Sequence, residues 1–135
     1  MNVLAIDYGL KRIGIAIGTT ESGIAFPRDI IFNDDHLMSR ISEIIDDEAI
    51  AKVLVGLPKK QDMSKGEIDQ KIREFVYNLE KIFDIQVILI DERYTSKIAK
   101  KKLRDVGMKE KEQKKQLDSI AAQVILQEWL DSFNA

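Results

Sequence analysis

The sequence predicts an α/β fold built on a mixed five-stranded sheet, and three observations lead there. Glycine-punctuated apolar runs at Val3–Ile6, Ile13–Ile17 and about Ile24–Phe32 read as three consecutive strands. The connection between the first two is too short for a crossover, so they form an antiparallel hairpin. Beyond residue 33, strand-like runs alternate with runs of helical period, giving the order βββαβαβαα. Helical crossovers are right-handed and return the chain parallel, so an antiparallel meander continues into parallel strands.

The elements follow in order. Pro27 lacks a ladder donor and places the third strand at an edge. Leu37, Ile41, Ile44 and Ile45 recur at helical spacing, with Asp34 or Asp35 in position to cap that helix. Lys52–Val55 is the fourth strand, closed by Gly56–Leu57–Pro58. A polar loop from Lys59 to Lys65 leads to a second helix, whose apolar positions are Ile68, Ile72, Phe75, Val76, Leu79 and Ile82. Gln86–Ile90 is the fifth strand and runs into Asp91–Glu92. Thr95 or Ser96 caps a short basic helix that Gly107 ends, and a long helix from about Glu110 to Ser132 completes the order. With no repeat, linker or low-complexity segment, residues 1–135 read as one domain.

Composition narrows the chemistry. A hydrophobic fraction of 44% beside 33% charged residues describes a globular chain with a real core. No run approaches the ~18 apolar residues of a membrane span, and the absence of cysteine excludes disulfides, thiol catalysis and zinc–thiolate sites. A reducing, cytoplasmic setting is expected. The net charge of −2 is unevenly spread. Between Lys97 and Lys115 nine basic residues face three acids, a net of +6, which leaves −8 on the rest. Such a stripe can engage a polyanion locally, because screening confines the field to about 8 Å at physiological salt. A solvated helical face has the same composition.

The carboxylates suggest a site. In open α/β sheets ligands gather at the carboxyl ends of strands. Asp7 ends the first strand and Asp91–Glu92 the fifth, on the same sheet edge if both crossovers return parallel. Asp118 shares a helical face with Ala122, Ile125 and Trp129, so an aspartate lies on an otherwise apolar stripe. Ala121 and Ala122 keep that helix thin enough to lie close to the sheet. Converging carboxylates without histidine or cysteine favour a hard cation, Mg²⁺ or Mn²⁺, as in phosphoryl transfer. The single histidine, His36, precedes an amphipathic helix and reads as a surface or capping residue.

Four motifs in this order resemble the YqgF (RuvX) family, small bacterial proteins related to the RuvC Holliday junction resolvases. They are Ala5–Ile6–Asp7–Tyr8–Gly9 with Lys11–Arg12–Ile13–Gly14, then Val55–Gly56–Leu57–Pro58, Asp91–Glu92–Arg93–Tyr94–Thr95, and Leu117–Asp118–Ser119–Ile120–Ala121–Ala122. The resemblance implies a ribonuclease H-like fold with strand order 3-2-1-4-5. It implies that Asp7, Glu92 and Asp118 are the catalytic, metal-holding set of a nuclease that matures the 5′ end of precursor 16S ribosomal RNA. An older reading of the family is Holliday junction resolution. RuvC-type enzymes carry a further aspartate one turn after the last catalytic one, where this chain has Ala121.

The nucleic-acid-binding residues expected around that set are Lys11, Arg12, Lys59, Lys60, Arg93, Tyr94, Lys97 and Lys101, with tyrosines stacking on unpaired bases. Tyr8 is a second stacking candidate and fits ordinary packing equally well. The partner is nucleic acid, precursor rRNA or branched DNA, with no membrane, and the chain is expected to act as a monomer, a dimer being the alternative. Two other readings stay open. The Asp7–Gly14 hairpin also suits the phosphate-binding hairpin of actin-like ATPases and sugar kinases, which need a second lobe. A non-catalytic nucleic-acid-binding module would keep the fold without turnover.

Overall fold

A computed structural model describes the backbone of residues 1–57, 65–91 and 110–134. Its elements are β1 (Asn2–Asp7), β2 (Arg12–Thr19), β3 (Ile24–Phe32), α1 (Leu37–Asp47), β4 (Ile50–Leu57), α2 (Lys65–Phe83), β5 (Gln86–Asp91) and α3 (Glu110–Phe133). The sheet order is β3-β2-β1-β4-β5. β1 pairs antiparallel with β2, and β2 with β3, whereas β4 lies parallel to both β1 and β5. This is the order the resemblance implied. The short basic helix expected between Thr95 and Gly107 lies outside the described residues.

Period-two alternation sends the strand side chains to two layers. Leu4, Ile6, Ile13, Ile15, Val53 and Val55 face α1 and α2, packing on Leu37, Ile41, Ile45, Ile72, Phe75, Val76 and Leu79. Val3, Ala5, Ala16, Ala25 and Leu54 face α3, against Ala122, Ile125, Leu126 and Leu130. β1 is covered on both faces, which is why it reads as an unbroken apolar run. Alanines on both sides of the α3 contact bring that helix close to the sheet, as its small residues suggested.

Side chains of α3 also serve the backbone of edge strand β3. Gln127 accepts from the Ala25 N–H at 2.9 Å and donates to the Gly23 carbonyl at 2.8 Å. Gln123 donates to the Ala25 carbonyl at 3.2 Å, and the buried Ser119 hydroxyl to the Arg28 carbonyl at 2.7 Å. An edge strand leaves one row of backbone groups without a strand neighbour. Here a helix answers some of them.

Three local expectations change. β4 continues through Gly56 and Leu57, which pair with β1 and β5 and form no turn. The α1 N-cap is His36, with no side-chain cap bond. Asp34 lies two residues earlier and accepts the His36 N–H at 2.9 Å, a turn that precedes the helix. Ile82 is exposed in the last turn of α2, where Phe83 packs on the core instead. Phe26 and Phe32 on β3 are exposed, while Trp129 is partly buried with the Lys52 Nζ 5.1 Å from its ring centre.

Candidate functional site

Asp7 ends the central strand and shares its face with Val3 and Ala5, the face covered by α3. Its lateral partners in the ladder are Gly14 on β2 and Gly56 on β4. Neither carries a side chain, so the half-buried carboxylate has a bare strip of sheet on either side. Gly56 in turn pairs with Ile90, and Leu57 with Asp91, which aligns the carboxyl ends of β1, β4 and β5 on one edge. That is the shared edge expected from the crossovers.

On α3, Asp118 stands one turn before Ala122, at a register position shared with the buried Ala122 and Ile125. The structure therefore brings Asp7 and the backbone position of Asp118 to the same side of the sheet. The side chains of Asp91 and Asp118 lie outside the described residues, as do Lys59, Lys60, Glu92, Arg93, Tyr94, Lys97 and Lys101 entirely. Among the described residues no three histidine, cysteine, aspartate or glutamate side chains form a metal-holding group. Ala121 is buried, so the position one turn past Asp118 offers packing and no carboxylate.

The turn after Asp7 is fixed by close approach. A Cβ on Gly9 would lie 2.3 Å from the Arg12 carbonyl oxygen. Asn33, just past β3, clamps the turn from outside: its side-chain amide donates to the Gly9 carbonyl at 2.8 Å and its N–H to the Lys11 carbonyl at 2.9 Å. Lys11 projects as an exposed residue at the tip. Arg12 begins β2 with the same parity as Gly14 and Ala16, so it falls on the Asp7 face, and its cross-strand partner is Phe32. Tyr8 turns to the opposite face, its ring centre 5.2 Å from that of Phe75, which supports packing for this residue.

Two other carboxylates are held below the ordinary carboxylate range. The His36 N–H and then the Arg40 guanidinium, 2.9 Å away, hold the Asp34 carboxyl below its ordinary 3.8. Glu21, near the far end of β2, is lowered to about 2 by the N-terminal ammonium and the Thr19 hydroxyl. His36 is exposed.

Sequence patterns do not mark Asn33, Phe32 or the glycines flanking Asp7 as site residues. Gly14 and Gly56 stand within the motifs, but their lateral position beside Asp7 depends on the register. Asn33 carried a weaker signal, an amide directly after a strand.

Comparison with known proteins converges on one group. A family model described as RuvX, Holliday junction resolvase, matches residues 1–132. A protein of Nitrosomonas europaea is 42% identical over 138 residues, covering 98% of this chain and 91% of its own. One from Maridesulfovibrio salexigens is 36% identical, covering 96% and 98%, and one from Bacillus subtilis 35% identical, covering 99% and 100%. All three are named "Putative pre-16S rRNA nuclease". Among solved structures, Thermus thermophilus RuvC in complex with a Holliday junction substrate superposes with a TM-score of 0.65 at 16% identity, covering 98% of this chain and 96% of that one. The fowlpox virus resolvase with junction DNA gives 0.60 at 15% identity, with both chains fully covered. At such identities these two structures establish the ribonuclease H-like fold. With its family model matched over residues 1–132 and relatives alike along nearly their whole length, the chain belongs to the RuvX family.

Proposed function

We propose that this chain is a divalent-metal-dependent nuclease that hydrolyses phosphodiester bonds near the 5′ end of precursor 16S ribosomal RNA, with Asp7, Glu92 and Asp118 as its catalytic and metal-holding carboxylates. The observation that carries the reading is Asp7 itself. It sits at the carboxyl end of the central strand, between two glycines, on the face whose helix holds Asp118 in register. Glu92 follows in sequence directly on Asp91, the last residue of β5, whose carboxyl end lies at that same edge. The relatives' shared name supports the substrate.

An oxygen-only donor set suits Mg²⁺ or Mn²⁺, and a site without histidine or cysteine disfavours softer metals. When bound, such an ion supplies Lewis-acid stabilisation of charge on the phosphoryl oxygens. The chain's own residues do the rest. Gly14 and Gly56 put no side chain beside Asp7 in the strand ladder, which leaves lateral room for a phosphate. Lys11, whose carbonyl accepts the Asn33 N–H, and the adjacent Arg12 place positive charge beside it, and Lys59, Lys60, Arg93, Lys97 and Lys101 extend that charge along the backbone. Tyr94 stacks on an unpaired base. This reading sets the protein in the cytoplasm as a monomer, which sedimentation checks.

The decisive assay compares cleavage of a precursor-rRNA 5′ leader and a four-way DNA junction in Mn²⁺, with Asp7→Asn and chelator controls. Cleavage of the leader that stops with EDTA and in Asp7→Asn, at an unchanged melting temperature, is expected. Full activity in Asp7→Asn would sink the assignment. Preferential cutting of the junction would favour the second reading, a resolvase, which the family description and the junction-bound structural neighbours support. Binding that survives loss of all three carboxylates, with no turnover by the wild type, would point to a non-catalytic module.

A further inference from the structure

Phe32 is the anomaly on the catalytic face. It is 60% exposed, although a large aromatic ring gains most from burial. It stands across the ladder from Arg12, and therefore on the same sheet face as Asp7. A groove of about 480 Å³ opens here, lined by Arg12, Pro27, Arg28, Asp29, Ile30, Phe32 and Ser119. Its size falls within the range of small-ligand sites, ~300–1,000 Å³. Two strand spacings and two residues separate Phe32 from Asp7, about 12 Å between backbones, within reach of a neighbouring nucleotide.

The lining says which part of a nucleotide fits. Arg28 directs its guanidinium to Glu48 at 2.9 Å, and the Ser119 hydroxyl is engaged by the Arg28 carbonyl. Arg12 brings positive charge, and Asp29 brings a carboxylate that repels phosphate but accepts from an exocyclic amino group. Phe32, Pro27 and Ile30 provide apolar surface. An aromatic ring beside an arginine is the composition of a stacking platform for single strands.

We propose that Phe32 stacks on an unpaired nucleobase of the substrate strand, seated in this groove beside the nucleotide cut at Asp7. The assignment rests on the nuclease reading for its substrate, and a binding measurement tests it without requiring cleavage. Fluorescence anisotropy without divalent ions would compare wild type, Phe32→Ala and Phe32→Tyr on a labelled precursor-rRNA 5′-leader oligonucleotide. A tiled set of the same oligonucleotide, abasic at one position each, completes the experiment.

Phe32→Ala is expected to weaken binding about tenfold, with Phe32→Tyr close to wild type. One abasic position should reproduce that loss and show no further loss with Phe32→Ala. Binding by Phe32→Ala within twofold of wild type overturns the proposal, as does a loss that simply adds to every abasic position. Loss of self-association in Phe32→Ala with unchanged RNA binding also overturns it, and assigns the ring to contact with a second copy. The two readings fail separately. Cleavage by Asp7→Asn removes the catalytic assignment and leaves the anisotropy result standing, whereas Phe32-insensitive binding leaves the nuclease intact.

Discussion

Gly9→Ala is a substitution whose sign the turn geometry decides. Among the described residues Gly23 is the glycine with a positive φ, so the backbone at Gly9 lies in a region alanine can adopt. On backbone grounds alone, alanine would then stabilise the protein by about 0.4–1 kcal/mol through the unfolded chain. The contact reverses this. The added Cβ would sit 2.3 Å from the Arg12 carbonyl oxygen, against the 3.0 Å that real Cβ contacts respect, and the opposing atom is backbone. Opening the turn by about 0.7 Å pulls Gly9 and Lys11 away from Asn33, which bonds their carbonyls at 2.8 and 2.9 Å. Strain of about 1–3 kcal/mol and roughly 1 kcal/mol for a lost hydrogen bond add to about 2–4 kcal/mol. For a domain of this size that is a fall of roughly 6–15 °C in melting temperature. Thermal and urea unfolding measure it, and single-turnover cleavage should fall with it as Lys11 and Arg12 lose their position. An unchanged or raised melting temperature would refute the close-approach argument.

Other outcomes follow from the same contacts. Gln127→Ala removes one bond to the β3 backbone at Ala25 and one to Gly23 just before it, and should cost about 1–3 kcal/mol, with faster hydrogen exchange at the Ala25 amide as the local readout. Asp34 has its carboxyl lowered in the folded state, so its contribution is complete above its ordinary 3.8 and disappears as the pH falls through the lower folded value. The melting-temperature gap between wild type and Asp34→Asn should accordingly hold steady from pH 7 to about 5 and close below about 4. A gap that persisted at low pH would assign the effect to something other than the carboxylate's charge.

Much of the fold was legible because periodicity encodes it. The apolar run of β1 told of a strand, and the spacing of Leu37, Ile41 and Ile45 told of a helix with one buried side. Asp7 was legible as a carboxylate at a strand end. What lay beside it was not. Gly56 looked like turn punctuation, because glycine breaks strands and closes turns equally well, and only the parallel register with β1 shows it to be Asp7's neighbour. Asn33 acts through two bonds to a turn more than twenty residues earlier, a relation no local pattern carries. Ile82 followed the helical spacing and still ended exposed, because periodicity reports which face a residue occupies and not how far the covering layer extends. Phe32 shows the converse: an apolar letter in a strand does not say whether anything covers it.

The docking of α3 on β3 has a consequence for synthesis. Gln127 bonds Ala25 across 102 positions and Gly23 across 104. At translation rates of about 5–20 residues per second, the β1–β3 meander is made some 5–20 s before the helix that completes its edge. During that interval the strand bearing the exposed Ile24 and Phe26 has its backbone open to pairing with another nascent chain. Pro27, in the middle of that strand, cannot donate to an incoming partner and is already in place when the strand leaves the ribosome. The proline thus guards the edge early, and the glutamines take over when the last helix arrives.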